Sequence, residues 1–283
     1  MEWEEWPLTL FTVTAQTAMG AFGWCFVALT AGGLAPDRRQ RLERLMIVVW
    51  ALVALAFAMS AFHLGSPWRA INATFRFGQS AMSNEVVFGS AFAVTGLLHW
   101  LLCWRGLGSA RLRNIVLWAT LALAIAFLAS MTAFYLMPTV PTWNSPLTPL
   151  AYVITAAIGG SAVAAWLFAA AGIRDHRLLG SGPITLAALA AVGAVLVAIA
   201  QGSGLADIAS SIRHAGDATP DYAALMGLRF VVLFAALGLW LRSASRGNTL
   251  TLRSGITCVL LVVFAEMVGR AVFYSLYMTV GLR

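Results

Sequence analysis

The sequence predicts an all-α integral membrane protein of eight transmembrane helices, and three observations carry that prediction. Hydrophobic residues make up 60% of the 283 and charged residues only 10%, against about 25% charged in an average soluble domain. Eight apolar runs are each long enough to cross a bilayer core of roughly 30 Å, which takes about 20 helical residues. None of these runs alternates with a period of two, so they read as helices, which satisfy their own backbone polar groups in lipid. The spans fall at approximately residues 8 to 30, 45 to 63, 84 to 104, 113 to 136, 148 to 171, 182 to 203, 222 to 242 and 254 to 279. A single membrane domain over residues 1–283 accounts for the whole sequence.

Every one of the 18 basic residues is an arginine, and their placement sets the topology. The linkers after the first, third, fifth and seventh spans carry Arg38, Arg39, Arg41 and Arg44, then Arg105, Arg111 and Arg113, then Arg174 and Arg177, then Arg242, Arg246 and Arg253. The opposite loops and span ends hold Arg69, Arg76, Arg213, Arg229 and Arg283, while Arg270 lies inside the last span. By the positive-inside rule the arginine-rich linkers face the cytoplasm and both termini face the periplasm. The net charge of +7 is therefore topological, and no nucleic-acid partner is expected, because the arginines are scattered over short linkers without a folded polar domain. The N-terminus, Met1 to Pro7, is acidic, and no small-residue cleavage site follows a short apolar core, so the first run is expected to remain as a span.

Cys25, Cys103 and Cys258 all fall within spans without metal-ligand spacing. An iron–sulfur cluster usually needs four thiolates, so these three read as small buried apolar residues. A transmembrane haem would need two histidines at one depth. His63 closes the second span at the outer side and His99 lies near the inner end of the third, a separation of roughly 20 Å at 1.5 Å per residue. His176 and His214 fall in loops on opposite sides. No haem, cluster or other metal is expected in this protein, and His99, His176 and His214 read as interfacial or solvated. Asp221, Tyr222 and Arg229, at the start of the seventh span, read as anchors.

The residues with chemical potential cluster toward the outer side. His63 ends an apolar helix where the chain turns through Gly65, Ser66 and Pro67, with Arg69 just beyond. It is either a structural helix cap or a proton acceptor at the water boundary. Glu85 opens the third span directly after Ser83 and Asn84. Capping and dipole chemistry is one account of it, and a second proton acceptor facing a shared cavity with His63 is the other. In the last span Glu266 and Arg270 sit four apart on one helix face, with Tyr274 one turn further. Charges inside lipid face the protein interior, so these residues form either a structural ion pair or a wall of the same cavity. The loop from Met137 to Pro146 holds three prolines and Trp143, a rigid extended path on which a partner can dock. A faint internal echo at an offset of 139 pairs Pro7-Leu8-Thr9 with Pro146-Leu147-Thr148, Gly20 with Gly159, and Phe134-Tyr135 with Phe273-Tyr274. It divides the sequence into four-helix halves, 1–139 and 140–283, of like orientation, or it is chance similarity among small-residue spans.

Several segments resemble those of the membrane anchor subunit of bacterial dimethyl sulfoxide reductase. They are His63 to Asn72, Ser83-Asn84-Glu85, Thr139 to Trp143 with Thr148-Pro149, Pro220 to Met226, Glu266 to Tyr274, and Met278 to Gly281. The resemblance implies an eight-helix subunit of the bacterial inner membrane with both ends periplasmic. It implies that this subunit binds and oxidises menaquinol and passes the electrons to an iron–sulfur subunit, which feeds a molybdopterin catalytic subunit on the periplasmic side. It implies a quinol site at His63 and Glu85, and no cofactor of the anchor's own. Depth and charge add Arg69, Arg270 and Tyr274 to the candidate quinol-binding set, with Glu266, Ser66 and Asn84 completing it. Competing expectations are an ion- or proton-coupled transporter built on Glu266 and Arg270, and a passive membrane tether.

Overall fold

The structure is a computed structural model and describes residues 5–62, 67–173, 176–209, 214–245 and 252–279. The described residues form α1 (Trp6–Thr30), α2 (Pro36–Leu45), α3 (Ile47–Phe62), α4 (Ala81–Arg105), α5 (Ala110–Tyr135), α6 (Leu147–Ala171), α7 (Arg177–Gly204), α8 (Tyr222–Ser245) and α9 (Leu252–Ser275). α2 and α3 run on as one span, so eight stretches are long and apolar enough to cross a membrane. The fold is the multi-pass helical bundle that composition and run length predict.

Helix boundaries depart from the apolar runs where local chemistry extends a helix into polar sequence. The second span begins at Pro36, well before residue 45. Proline suits a first helical turn, and the pairs Arg39–Glu43 at 3.0 Å and Asp37–Arg41 at 3.1 Å support a charged turn and a half. Arg39 also donates to the carbonyl of Leu29, closing the C-terminus of α1. α7 begins at Arg177 rather than at 182 because the His176 side chain accepts from the backbone N–H of Leu179, and Pro183 is carried inside the helix. At the arginine-rich end α4 and α6 stop at Gly106 and Gly172, whose φ values of +65° and +76° are left-handed C-caps that favour glycine.

α1 and α6 are the central helices. Of their apolar stretches 72% and 67% is buried, against 28% for the second, third and seventh spans. α1 packs on α3, α5, α6 and α9, and α6 packs on α1, α5, α7 and α9. Lipid tails are as apolar as leucine, so helices in a membrane associate through close packing and hydrogen bonds, and small residues permit that approach. A Cβ placed on Gly20 would collide with the Ala156 carbonyl oxygen, and one on Gly160 would collide with Gly20 Cα. Trp24 Nε1 donates across the same seam to Ser161 Oγ at 2.9 Å. The outward faces carry exposed Leu189, Val231 and Leu260, which suit contact with acyl chains.

An aromatic cluster closes the end of the bundle that holds the described termini. Tyr135, Trp143, Tyr152, Phe273 and Tyr274 pack mostly edge-on or tilted, with centroid separations between 5.4 and 6.1 Å. Trp143 Nε1 donates to the Phe273 carbonyl, and Thr148 Oγ1 donates to that of Trp143, so the proline-rich loop is tied down onto α9.

The glycine seam makes a paired prediction. Gly20→Leu forces α1 from α6 and is expected to lower stability by at least the ~1–3 kcal/mol of ordinary overpacking. Gly23→Leu, three residues along on α1 with open space beside it, is expected to be near neutral. Thermal unfolding of the two variants in detergent, read by loss of monodisperse protein, checks the contrast.

Candidate functional site

Ser80, in extended conformation, precedes α4 as its N-cap residue, so the helix begins at Ala81 and Glu85 is its fifth residue rather than its first. The expectation that Ser83 and Asn84 merely cap a helix carrying Glu85 in its opening turn is therefore corrected. Ser83 is buried within the helix, and Asn84 Oδ1 instead accepts from the Gly78 N–H at 2.6 Å, holding the preceding loop. That geometry turns Glu85 inward. It is only 8% exposed, and among the described residues it has no hydrogen-bond or ion-pair partner.

Glu85 lines a cavity of about 350 Å³ between α1, α3, α4 and α5. Its walls are mainly apolar and include five aromatic side chains, Phe11, Phe57, Phe127, Phe134 and Tyr135. Phe57 and Phe127 lie nearly parallel, 8° apart with centroids 6.1 Å apart. The mouth is formed by Ile71, Ala73 and Thr74 of the short 3-10 helix Pro67–Thr74, together with Met82. Ile71 and Met82 are both exposed, so the cavity reaches the outer surface of the bundle. A largely apolar concavity with a few polar groups is the usual form of a small-molecule site.

Of the other sequence-derived candidates, His63 and Ser66 lie outside the described residues, as does the side chain of Arg69, whose backbone belongs to the 3-10 helix. Ser60 and Ala61, near the described end of α3, line the Glu85 cavity. Tyr274 does not line it, but stands directly behind a residue that does. Its hydroxyl is 2.9 Å from that of Tyr135 and donates to Thr12 Oγ1 at 3.2 Å. No charge or spacing marks Tyr135 as a site residue in the sequence, yet it lines the cavity and is held there through its hydroxyl by Tyr274.

Glu266 and Arg270 do not pair with each other. Glu266 accepts from Arg229 Nη2 of α8 with both oxygens, at 3.0 and 3.1 Å, and from Thr155 Oγ1 at 2.7 Å. Arg270 donates to Gln16 Oε1 at 2.8 Å and to Thr155 Oγ1 at 3.4 Å, and its guanidinium lies 3.7 Å from the Tyr152 ring centroid. The i,i+4 spacing puts the two charges on one face, but α1, α6 and α8 all meet that face and offer each charge a partner with better geometry. Gly269 makes the room, since a Cβ there would lie 2.6 Å from Arg229 Cζ. Arg229, expected to be an anchor, is thus the partly buried partner of a buried carboxylate. The rule that charges inside lipid face the interior applies to it as it does to Glu266. These groups border a separate recess of about 30 Å³ lined by Thr155, Gln201, Arg229 and Arg270.

The remaining histidines divide. His99, expected to be interfacial or solvated, is 3% exposed, with Nε2 3.6 Å from Cys103 Sγ, at a polar cavity near the arginine-rich end lined by Arg39, Glu43 and Arg113. His176 caps α7, and His214 caps a 3-10 turn with Asp217. Among the described residues, no three His, Cys, Asp or Glu side chains come together as a metal site.

An eight-span bundle with an acidic, aromatic-walled cavity near one face defines a polytopic membrane protein of the helical class. Comparison with known proteins gives the family. The DMSO reductase anchor subunit (DmsC) family profile matches residues 1–276. The C subunit of the anaerobic dimethyl sulfoxide reductase of Escherichia coli K12 is 38% identical over 281 residues, covering 99% of this protein and 97% of the relative. The YnfH subunit of an anaerobic dimethyl sulfoxide reductase from the same organism is 38% identical over 280 residues, with the same coverage. The C subunit of the Haemophilus influenzae enzyme is 35% identical over 282 residues, covering 98% and 96%. The protein belongs to the dimethyl sulfoxide reductase anchor subunit family, and it is a multi-pass protein of the bacterial inner membrane.

The Arg229–Glu266 pair makes a prediction of its own. Arg229→Met strands a buried carboxylate and is expected to cost about 3–5 kcal/mol, whereas Arg229→Met with Glu266→Leu is expected to regain most of it, since apolar replacement of a whole buried pair is often neutral. Denaturation midpoints of the two variants in detergent check the ordering.

Proposed function

We propose that this protein is the quinol-oxidising membrane anchor of a dimethyl sulfoxide reductase-type complex, with menaquinol as its reductant. The observation that carries this reading is a buried carboxyl without a described partner in an aromatic cavity that opens at the bundle surface. Holding a carboxylate away from water costs several kcal/mol unless it is paired, and Glu85 finds no partner among the described residues. A proton acceptor facing an apolar ring explains that place.

In this reading the quinol ring lies against the stacked Phe57–Phe127 pair, and the isoprenoid tail leaves through the mouth near Ile71 and Met82 into lipid. Oxidation to the quinone releases two electrons and two protons. Glu85 accepts one proton and His63 the other, and both pass to the periplasm. Tyr135, held by its hydrogen bond to Tyr274, packs against the ring from the opposite wall. Arg69 stabilises negative charge developing on the quinol oxygen. Arg270 and Glu266, engaged with Gln16, Thr155 and Arg229, support the bundle behind the site. The relatives are named as subunits of anaerobic dimethyl sulfoxide reductase. The electrons accordingly leave for an iron–sulfur partner docked on the periplasmic loops, which passes them to a molybdopterin catalytic subunit.

Glu85→Gln keeps the volume of the side chain and removes its ability to take a proton. Quinol-dependent reduction by the intact complex is expected to fall at least 100-fold, the lower end of the usual contribution of general base catalysis. Reduction driven by an artificial donor to the soluble subunits is expected to persist. Undiminished quinol turnover in this variant removes the assignment, and loss of both activities points to a tethering role.

A further inference from the structure

We propose that the polar cavity at the arginine-rich end of the bundle is a headgroup site for an anionic phospholipid, whose phosphodiester it takes between α2, α4 and α5. The cavity measures about 260 Å³, several times the ~30 Å³ share of one water. Arg39 and Glu43 of α2, His99 and Cys103 of α4, and Arg113 and Asn114 of α5 line it. Its charges do not balance. Arg39 Nε holds Glu43 at 3.0 Å, so these two cancel, whereas Arg113 has no carboxylate partner among the described residues. One monoanionic phosphodiester makes up the difference.

The lining also carries donors with nothing to bond. His99 is 3% exposed, and its Nδ1 has no hydrogen-bond partner among the described residues. With Nε2 accepting from the Cys103 thiol 3.6 Å away, Nδ1 carries the ring hydrogen and is left to donate. Arg113 reaches the same thiol, yet its Nε is likewise buried without a described partner. A buried donor that meets no acceptor costs free energy. The N-terminus of α5 adds to the set, since Ala110, its first residue, lines the cavity. Ser109 takes the backbone N–H groups of Leu112 and Arg113, while those of Ala110 and Arg111 precede any helical carbonyl they could reach. An anion suits such a terminus.

The surroundings point to lipid as the source of that anion. Tryptophan is enriched where a bilayer's headgroups lie, and three mark this end of the bundle. Trp100 and Trp104 stack at 5.2 Å, Trp100 Nε1 donates to the Arg44 carbonyl of α2, and Trp118 is exposed. Trp118 follows Asn114 by one helical turn on the same face of α5, and Ile115 beside it is also exposed. The wall that begins in the polar cavity therefore continues along an apolar surface on which acyl chains can run. Basic pockets between transmembrane helices suit phospholipid headgroups. A free phosphate would meet the same donors but would make no use of that apolar continuation.

Native mass spectrometry of the delipidated intact complex tests the site, with short-chain phosphatidylglycerol, the matching phosphatidylcholine and inorganic phosphate titrated in turn. Phosphatidylglycerol is expected to bind saturably and in preference to phosphatidylcholine. Its affinity is expected to fall at least ~10-fold in Arg113→Gln, the loss of one hydrogen bond to a charged group. Ala110→Glu sets a carboxylate at the exposed rim of the cavity; it is expected to have the same effect and serves if Arg113→Gln does not assemble. Arg111→Gln, exposed and outside the lining, is expected to keep the wild-type affinity, and an equal loss there overturns the proposal as an effect of overall charge. Equal binding of phosphatidylcholine overturns the charge match, and saturable binding of inorganic phosphate without lipid overturns the lipid source. Absence of saturable binding, or binding that survives both Arg113→Gln and Ala110→Glu, overturns the site.

Discussion

The structure depends on the backbone contact between α1 and α6. Without a hydrophobic drive between helices in lipid, the bundle is held by whatever close packing and hydrogen bonding its centre allows. Gly20, Gly159 and Gly160 bring the two helices together so closely that a Cβ has no place there. That approach puts Gln16 of α1 and Thr155 of α6 side by side, where Arg270 of α9 reaches both. It also sets Thr12 against the Tyr274 hydroxyl, which in turn holds Tyr135 in the wall of the Glu85 cavity. A packing constraint at the centre of the bundle is transmitted through three hydroxyls to the candidate site.

Two kinds of buried polar group result, and their difference separates scaffold from chemistry. In the C-terminal half the charges are matched: Arg229 and Glu266 form an ion pair, Thr155 bridges from Glu266 to Arg270, and Arg270 is shared between an amide and an aromatic face. Such a network fixes the helices it joins, although Arg229 Nε and Arg270 Nε are buried without a hydrogen-bond partner among the described residues. In the N-terminal half Glu85 faces phenylalanine rings without a described donor. The paired charges hold one another, whereas Glu85, without a partner among the described residues, faces an open cavity. A transporter reading built on Glu266 and Arg270 draws little from this arrangement, because both groups are already engaged.

The spans and Glu85 were legible in the sequence for the same reason. An uninterrupted apolar run admits only a helix, and a charge at the edge of one stands out against it. Boundaries were less legible, because α2 and the start of α7 are stabilised by ion pairs and a histidine cap that a hydropathy reading counts as linker. Ion-pair partners were illegible in a more basic way. Spacing of four residues shows that Glu266 and Arg270 share a face, but not that α8 brings Arg229 to that face or that Gly269 vacates the room. Gln16 and Tyr135 carry no charge to mark them, and only the packing of α1, α5 and α9 reveals their roles. Family membership spans nearly the whole sequence, in keeping with a resemblance carried by motifs from His63 to Gly281.

The most direct test of the Glu85 cavity as the quinol site is photolabelling. A naphthoquinol analogue bearing a photoreactive group on its ring, illuminated in membranes containing the intact complex, is mapped by mass spectrometry of the cleaved protein. The account predicts saturable labelling, displaced by unlabelled quinol, confined to the cavity lining: the end of α3 around Phe57–Ala61, the first turns of α4 around Met82–Ser90 and the end of α5 around Phe127–Tyr135. Saturable labelling centred elsewhere, or labelling of these segments that unlabelled quinol does not displace, would contradict it.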